Sequence, residues 1–213
     1  MPALIIFDID GTLFQTDLVT VPAVQRTFAA HGLPQPDAHT ICSFFGQPVQ
    51  TYEAWLASLA PADNVKQIID DTNTLELELI ATEGRLYPGI PELLAQLRHD
   101  GHALAICSNG PDDYVNTFLD AHQMRQYFDI IRTRGTKYDG KKTMVKEIMG
   151  IISIRPAIVI GDRHDDIEAA HASGAYAIAA CYGFGGEEES AGADKKVLAV
   201  KEIPDALRQI QSV

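Results

Sequence analysis

Two aspartates near the N-terminus are the first residues whose spacing suggests chemistry. Asp8 and Asp10 follow a short apolar run and precede Gly11. Residues two apart in an extended chain point to the same side, so we expect the two carboxylates to converge. Such a pair repels unless a cation lies between the carboxylates or one of them is protonated. The alternative is an ordinary glycine turn in which Asp bonds to its own backbone. An EF-hand loop is excluded, because its twelfth position holds Val19 instead of Glu.

Polar residues also follow two later apolar runs. Ser108 and Asn109 end one run just before a predicted helix, and Asp162 ends another. A hydroxyl, an amide and the free N–H groups of a first helical turn can all contact phosphate oxygens. Such residues also cap helices without binding any ligand. Because ligands bind beyond the carboxyl ends of parallel strands, we expect these residues and Asp8 to form one site.

These residue types suit metal-assisted transfer of a phosphoryl group. Asp8 is the expected nucleophile, since a carboxylate can attack phosphorus to form an aspartyl-phosphate. Asp10 is placed to protonate the leaving alcohol and then to deprotonate the attacking water. Asp162 would complete an all-oxygen site for Mg²⁺, which would remove the repulsion between the anionic nucleophile and an anionic substrate.

A positive group is also needed to hold the transferring phosphoryl group. Basic residues cluster just before a helix predicted over residues 143–149, and this cluster consists of Lys137, Lys141 and Lys142. Any one of these lysines can equally be a solvated surface charge. The residues alone therefore leave open which lysine, if any, enters the site.

The hydrophobic pattern predicts the elements that position these residues. After the apolar run that ends at Asp8, strands are predicted over residues 103–107, 128–132, 157–160, 175–181 and 197–200. Helices are predicted over residues 91–99, 111–122, 143–149 and 165–172 and from residue 204. This alternation predicts an α/β fold with a doubly wound, Rossmann-like parallel sheet. Residues 15–86 show helical spacing only, so we predict an all-helical insertion between core segments 1–14 and 87–213.

The composition limits the class of protein and its partners. The chain has 213 residues, of which 46% are hydrophobic and 22% charged, as in ordinary globular proteins. A net charge of −12 makes a nucleic-acid partner unexpected, because such binding needs a positive surface. No run approaches the ~18 apolar residues that span a bilayer, and no signal peptide is recognisable. We therefore expect a cytoplasmic protein with no membrane partner. Its three cysteines, an odd number without CxxC spacing, argue against a disulfide framework and a zinc cluster.

The motifs taken together resemble those of the haloacid dehalogenase-like hydrolase superfamily. Residues 8–13, the pair 108–109, a loop lysine and residues 161–167 occur in the order and approximate spacing of its four motifs. The resemblance spans essentially the whole chain, and it identifies the helical insertion as a cap domain. It implies a Mg²⁺-dependent phosphatase in which the metal is bound by Asp8, the Asp10 backbone carbonyl and Asp162. It also implies a supporting carboxylate, Asp166 or less readily Asp165, that braces the lysine or the waters of the metal.

Two departures from the superfamily's pattern affect the phosphate-binding residues. Ser108 stands where Thr is usual, which keeps the hydroxyl, and the third motif lacks the common Lys-Pro pair. We choose Lys142 as the catalytic and phosphate-binding lysine because it stands three residues before Val145, as helix-entry lysines of this superfamily do. Lys141 is the second choice.

The expected substrate is a small phosphorylated metabolite. Residues 127–142, 161–163 and 182–185 resemble phosphoglycolate phosphatases and 5′-nucleotidases within the superfamily. A phosphomutase of the same fold and a non-catalytic protein that binds phosphorylated ligands are the alternatives. The cap loop of residues 43–47 is expected to pack between cap helices rather than to face the substrate. The protein is expected to be a monomer or a homodimer.

Overall fold

A parallel β-sheet lies at the centre of the protein in the computed structural model, which describes residues 1–134 and 140–212. Within those residues its strands are β1 (Leu4–Phe7), β2 (Ala103–Ser108), β3 (Ile130–Thr133), β4 (Ala157–Gly161), β5 (Tyr176–Ala180) and β6 (Lys195–Val197). They are arranged in the order β3-β2-β1-β4-β5-β6, and every neighbouring pair is parallel. This order confirms the doubly wound fold, in which ligand sites form where the chain reverses its direction across the sheet, here between β1 and β4.

Helices precede, connect and cover these strands. In the described part of the chain the helices are α1 (Asp17–Ala30), α2 (Ala38–Cys42), α3 (Val49–Leu59), α4 (Val65–Thr82), α5 (Ile90–His99), α6 (Asp112–Ala121), α7 (Lys141–Ile151), α8 (His164–Ala172) and α9 (Ile203–Gln211). None of the described helices combines the length and the apolarity needed to cross a bilayer. Helices α1 to α5 all fall between β1 and β2, whereas α6, α7 and α8 alternate with the strands from β2 to β5.

The first strand is buried because helices cover both faces of the sheet. Ile5 and Phe7 point to one face and pack with apolar residues of α5, α6 and α9. Leu4 and Ile6 alternate with them and pack with α7 and α8 on the other face. This accounts for the uninterrupted apolar run in the sequence, since a strand covered on both faces has no solvated side.

The helical insertion has a small apolar core of its own. That core consists of Val24, Phe28, Ile41, Phe45, Leu56 and Ile68. The insertion leaves and rejoins the sheet domain at one place, where an antiparallel bridge pairs Phe14 with Leu86. This bridge agrees with a boundary near residues 14 and 87, although the two-domain division stays a prediction.

Some elements begin or end at residues other than those predicted. Helix α7 begins at Lys141, two residues before its predicted start at Thr143. The last strand, β6, ends at Val197 instead of beginning there. The start of α7 matters most, because it places both Lys141 and Lys142 within the helix.

Candidate functional site

The carboxyl ends of β1, β2 and β4 bring the predicted polar residues to one edge of the sheet. Phe7 pairs with Ile106 of β2 on one side and with Ile160 of β4 on the other, so Asp8 lies between the ends of both neighbours. The Asp8 backbone N–H donates to the Ile160 carbonyl at 2.9 Å, which continues the ladder by one residue. Asp8 is 2% exposed, so its carboxylate is held in a buried position.

Three buried carboxylates meet at this edge. Oxygen atoms of Asp8, Asp162 and Asp166 all lie within 4.8 Å of one another. Burial, opposed in part by the charge of Lys141, raises the pKa of Asp8. Burial and the neighbouring charges of Asp8 and Asp166 hold the pKa of Asp162 well above its usual value. Ionising all three groups therefore requires positive charge nearby.

Lys141 supplies one positive charge. Its ammonium nitrogen lies 2.9 Å from Asp8 Oδ2 and 2.6 Å from Asp166 Oδ1, and the residue is 1% exposed. Burial alone lowers the pKa of Lys141, but the charges of Asp166 and Asp8 outweigh that effect and hold it well above the usual value. Asp166 thus braces the lysine, in the position that its predicted supporting role requires.

The choice of Lys142 as the lysine of the site is wrong. Its ammonium pairs with Glu168 at 3.1 Å, and both side chains are about half exposed. The cause is the phase of α7: successive helical residues point about 100° apart, so one of two adjacent lysines faces the sheet edge and the other faces solvent. Lys137, the remaining member of the predicted cluster, lies outside the described residues.

Asp162 is held so that one of its oxygens has no hydrogen-bond partner. Oδ2 accepts a hydrogen bond from the Phe184 backbone N–H at 2.7 Å. Oδ1 is buried and lacks a partner within the described residues. Glycines line this carboxylate, because a Cβ atom would lie 2.2 Å from Oδ2 at Gly11 and 2.6 Å from it at Gly183. The backbone can therefore approach Asp162 closely only where no side chain is present.

The cluster of three carboxylates, Asp8, Asp162 and Asp166, fits a hard divalent cation. Three carboxylates and one ammonium leave a surplus of negative charge, and the unpartnered Oδ1 of Asp162 offers a free oxygen ligand. Oxygen ligands of this kind are the ones that Mg²⁺ prefers. Asp8 and Asp162 would hold the cation through their side chains. The predicted metal role of Asp10 concerns its backbone carbonyl, and its side chain is outside this group.

The Asp10 side chain is directed by two hydroxyl groups. Its Oδ1 accepts hydrogen bonds from Thr16 Oγ1 at 2.7 Å and from the Tyr114 hydroxyl at 2.6 Å. Burial raises the pKa of Asp10, and these two hydrogen bonds oppose the increase. Sequence reasoning did not find Tyr114 or Thr16. Tyr114 is buried on α6 and looks like ordinary packing in the sequence, so only the folded chain reveals its contact.

Ser108 and Asn109 lie at the end of β2 but do not cap the helix that follows. Ser108 Oγ accepts a hydrogen bond from the Gly110 backbone N–H at 3.1 Å, and α6 has no side-chain cap. Asn109 Nδ2 donates to the Gly46 carbonyl at 2.8 Å and to Asp165 Oδ2 at 3.2 Å. Asn109 therefore joins the sheet edge to the helical insertion.

A cavity of about 560 Å³ lies between the insertion and the sheet domain. Asp10, Asn109 and Tyr114 line it on the side of the sheet, and residues 44–47 line it on the side of the insertion. The loop also packs against aromatic residues, since Phe44 stacks on Trp55 and Phe45 meets Phe184 edge to face. The prediction that this loop only packs between cap helices is therefore incomplete, because the loop also faces the cavity beside Asp10.

The chain is similar to known proteins over most of its length. The family model described as haloacid dehalogenase-like hydrolase matches residues 5–180. A 5′-nucleotidase of Pseudomonas aeruginosa is 28% identical over 201 residues, covering 87% of this chain and 85% of that protein. A phosphoglycolate phosphatase of Synechococcus elongatus is 30% identical over 182 residues, covering 84% of each chain. The solved structure of a "predicted phosphatase" from Clostridium acetobutylicum has a TM-score of 0.82 at 25% identity, covering 98% of this chain and 99% of that one.

Proposed function

Since the chain belongs to the haloacid dehalogenase-like hydrolase family and is a phosphatase, we propose that it hydrolyses a small phosphorylated metabolite with Mg²⁺, through an aspartyl-phosphate intermediate. One observation carries the proposal. The buried carboxylates of Asp8, Asp162 and Asp166 cluster beyond the carboxyl ends of β1 and β4, and Lys141 pairs with Asp8 and Asp166. Burying so many charges without a ligand is unfavourable, so the arrangement is best explained by the ligands it is built to bind.

Asp8 is the proposed nucleophile. One of its carboxylate oxygens attacks phosphorus, the bond from phosphorus to the ester oxygen breaks, and the phosphoryl group passes to Asp8. Lys141 contacts Asp8 Oδ2 and so orients the carboxylate, and its charge favours the negative charge that spreads over the phosphoryl oxygens. Mg²⁺ bound by Asp8 and Asp162 would neutralise part of the substrate's charge.

Asp10 is the proposed proton donor and acceptor. It gives its proton to the departing alkoxide, and it then takes a proton from the water that attacks the aspartyl-phosphate. This second step releases inorganic phosphate and restores Asp8. The hydrogen bonds from Tyr114 and Thr16 fix the carboxyl group, and its raised pKa favours the protonated form needed in the first step.

The helical insertion of residues 15–86 is proposed to act as a cap over the sheet domain. Its loop contacts the sheet edge directly, through the hydrogen bond from Asn109 to Gly46 and the packing of Phe45 on Phe184. Such a position can exclude bulk water from the aspartyl-phosphate until the leaving group has gone. Ser108 and Asn109 are proposed to contact the phosphate oxygens.

Replacing Asp8 tests the proposal. We expect Asp8→Asn to lower kcat/KM for phosphate release with Mg²⁺ by about 10³-fold or more, because the amide is a far weaker nucleophile. We also expect it to abolish the hydroxylamine-sensitive phosphoryl label that wild type acquires from a radiolabelled substrate. The exposed residue Asp70 provides the control, since Asp70→Asn changes the charge equally and should leave both readouts unchanged. Equal activity of Asp8→Asn and wild type would rule out the proposal. Isomerised sugar phosphate without free phosphate would indicate a phosphomutase instead.

A further inference from the structure

Acidic and aromatic side chains dominate the wall of the cavity beside Asp10. Five of its lining residues are carboxylic acids, namely Asp10, Glu53, Glu76, Asp112 and Asp113. Phe44, Phe45 and Tyr52 supply aromatic surface. Within the described residues, the lining contains no lysine, arginine or histidine. The described cavity wall therefore has no counterpart of Lys141, the cation that pairs with Asp8 and Asp166 at the phosphate end of the site.

Glu76 is one of the four carboxylic acids of this wall that the proposed reaction leaves unused. It lies on α4, is only partly exposed, and accepts a hydrogen bond from Thr20 Oγ1. Burial, with the charges of Asp10 and Asp113, raises its pKa to about 7. A second negative charge brought by a ligand would add to this unfavourable environment, whereas a hydroxyl or ammonium group would relieve it.

Tyr52 provides a polar group without a hydrogen-bond partner among the described residues. Its hydroxyl is buried and has no hydrogen-bond partner within the described part of the chain, although the residue lines the cavity. A buried hydroxyl without a partner is unfavourable, so a ligand that reaches it with a polar atom gains a hydrogen bond. Carboxylates that accept hydrogen bonds and a hydroxyl that can donate or accept one suit a leaving group that carries hydrogen-bond donors.

We propose that this cavity accepts a leaving group that bears no negative charge and carries hydroxyl or amino groups, and that it disfavours leaving groups with a carboxylate. The inference rests on the proposed phosphatase function and narrows its substrate class. Of the two kinds of substrate suggested by similarity, it favours those with a sugar-like or nucleoside-like leaving group over phosphoglycolate. The carboxylate of glycolate would face Glu53 and Glu76 with no cation among the described lining residues.

Substrates of equal length and different charge test this directly. Wild-type enzyme with Mg²⁺ is assayed for phosphate release from 2-phosphoglycolate, 2-hydroxyethyl phosphate and O-phosphoethanolamine. We expect kcat/KM for each of the last two to exceed that for 2-phosphoglycolate by about tenfold or more, because one screened charge contact corresponds to that ratio. The comparison between hydroxyethyl and aminoethyl groups shows whether the wall prefers a neutral or a cationic donor.

Neutralising the wall provides the matched variants. Glu53→Gln and Glu76→Gln should each raise the rate ratio of 2-phosphoglycolate to 2-hydroxyethyl phosphate several-fold. Glu78→Gln is the control, since Glu78 lies on the same helix as Glu76 but is exposed and does not line this cavity. Two carboxylates in separate helices are used so that a fold defect in one variant does not decide the result.

The outcomes separate this inference from the function on which it rests. If phosphate is released but 2-phosphoglycolate is the best or an equal substrate, the inference is overturned and the phosphatase function stands. A ratio that moves no more in Glu53→Gln and Glu76→Gln than in Glu78→Gln also overturns it. If none of these or any other phosphate ester is hydrolysed in an Asp8-dependent manner, the phosphatase function itself fails.

Discussion

Replacing Lys141 by Met distinguishes the role of Lys141 from that of Lys142, its neighbour in the sequence. Methionine is similar in length and apolar, so Lys141→Met keeps most of the packing and removes the charge. The ammonium contacts Asp8 at 2.9 Å and Asp166 at 2.6 Å in a position that is 1% exposed. We expect a large loss of both stability and activity, because two buried carboxylates lose their cation.

The size of the effect follows from those distances. With an effective dielectric constant of about 20, Coulomb's law gives about 6 kcal/mol of attraction for each contact. Desolvation of the charged groups cancels several kcal/mol per ion, so the net loss on removing one partner is about 3–5 kcal/mol. Lys142→Met removes only a half-exposed pair with Glu168, whose loss should cost no more than about 1 kcal/mol.

Urea denaturation at pH 7 without metal measures the free energy of unfolding of both variants, and phosphate release with Mg²⁺ measures kcat/KM. We expect Lys141→Met to lower kcat/KM by about 10²–10³-fold, the usual effect of losing one group that stabilises developing charge. Lys142→Met should stay close to wild type in both assays. Equal losses in the two variants, or a larger loss for Lys142→Met, would refute the assignment of Lys141 to the site.

Two further substitutions probe the surroundings of the site. Burial raises the pKa of Glu76 from 4.5 to about 7, so the folded state binds this proton more tightly than the unfolded state and loses stability as the pH rises through that interval. Glu76→Gln removes this loss. The free energy of unfolding of the variant minus that of wild type should therefore increase by up to about 3 kcal/mol between pH 4.5 and pH 8. If denaturation experiments find that this difference does not change with pH, the burial of the Glu76 charge is contradicted. At Gly11, φ is +71° and a Cβ would lie 2.2 Å from Asp162 Oδ2, whereas Gly32 has φ of +69° and open space around it. Gly11→Ala should therefore cost about 1–3 kcal/mol more than Gly32→Ala in the same denaturation assay, and equal costs would show that the backbone conformation alone matters.

The sequence predicts correctly those strands and turns that depend on only a few neighbouring residues. The apolar run of β1 and the glycine that follows Asp10 define a buried strand and a turn within a few residues, whatever the rest of the chain does. Helix α5, predicted over residues 91–99, spans Ile90–His99. The convergence of Asp8, Ser108 and Asp162 needed only one further rule, that parallel strands place their carboxyl ends at one edge.

The prediction failed in its choice between two neighbouring lysines. Lys141 and Lys142 are adjacent and identical in type, so residue type does not distinguish them. Their helical phase does, because Lys141 shares the buried face of Met144, Val145 and Ile148. The choice of Lys142 relied on its spacing of three residues from Val145 instead of on the whole apolar face of α7. That choice exchanged the buried Lys141 for a half-exposed surface lysine.

The sequence by itself determined the sheet, the carboxylates at its edge and the reaction class that they suit, since periodicity and residue type act over a few neighbouring residues. The tertiary structure alone decided that Lys141 meets Asp8 and Asp166, which hydroxyls direct Asp10, and which side chains line the cavity. The hydrogen bond from Tyr114 to Asp10 joins residues 104 positions apart, and that from Asn109 to Gly46 joins residues 63 apart. Contacts over such separations exist only after the sheet has formed and the helical insertion has packed onto it, so no local pattern could encode them.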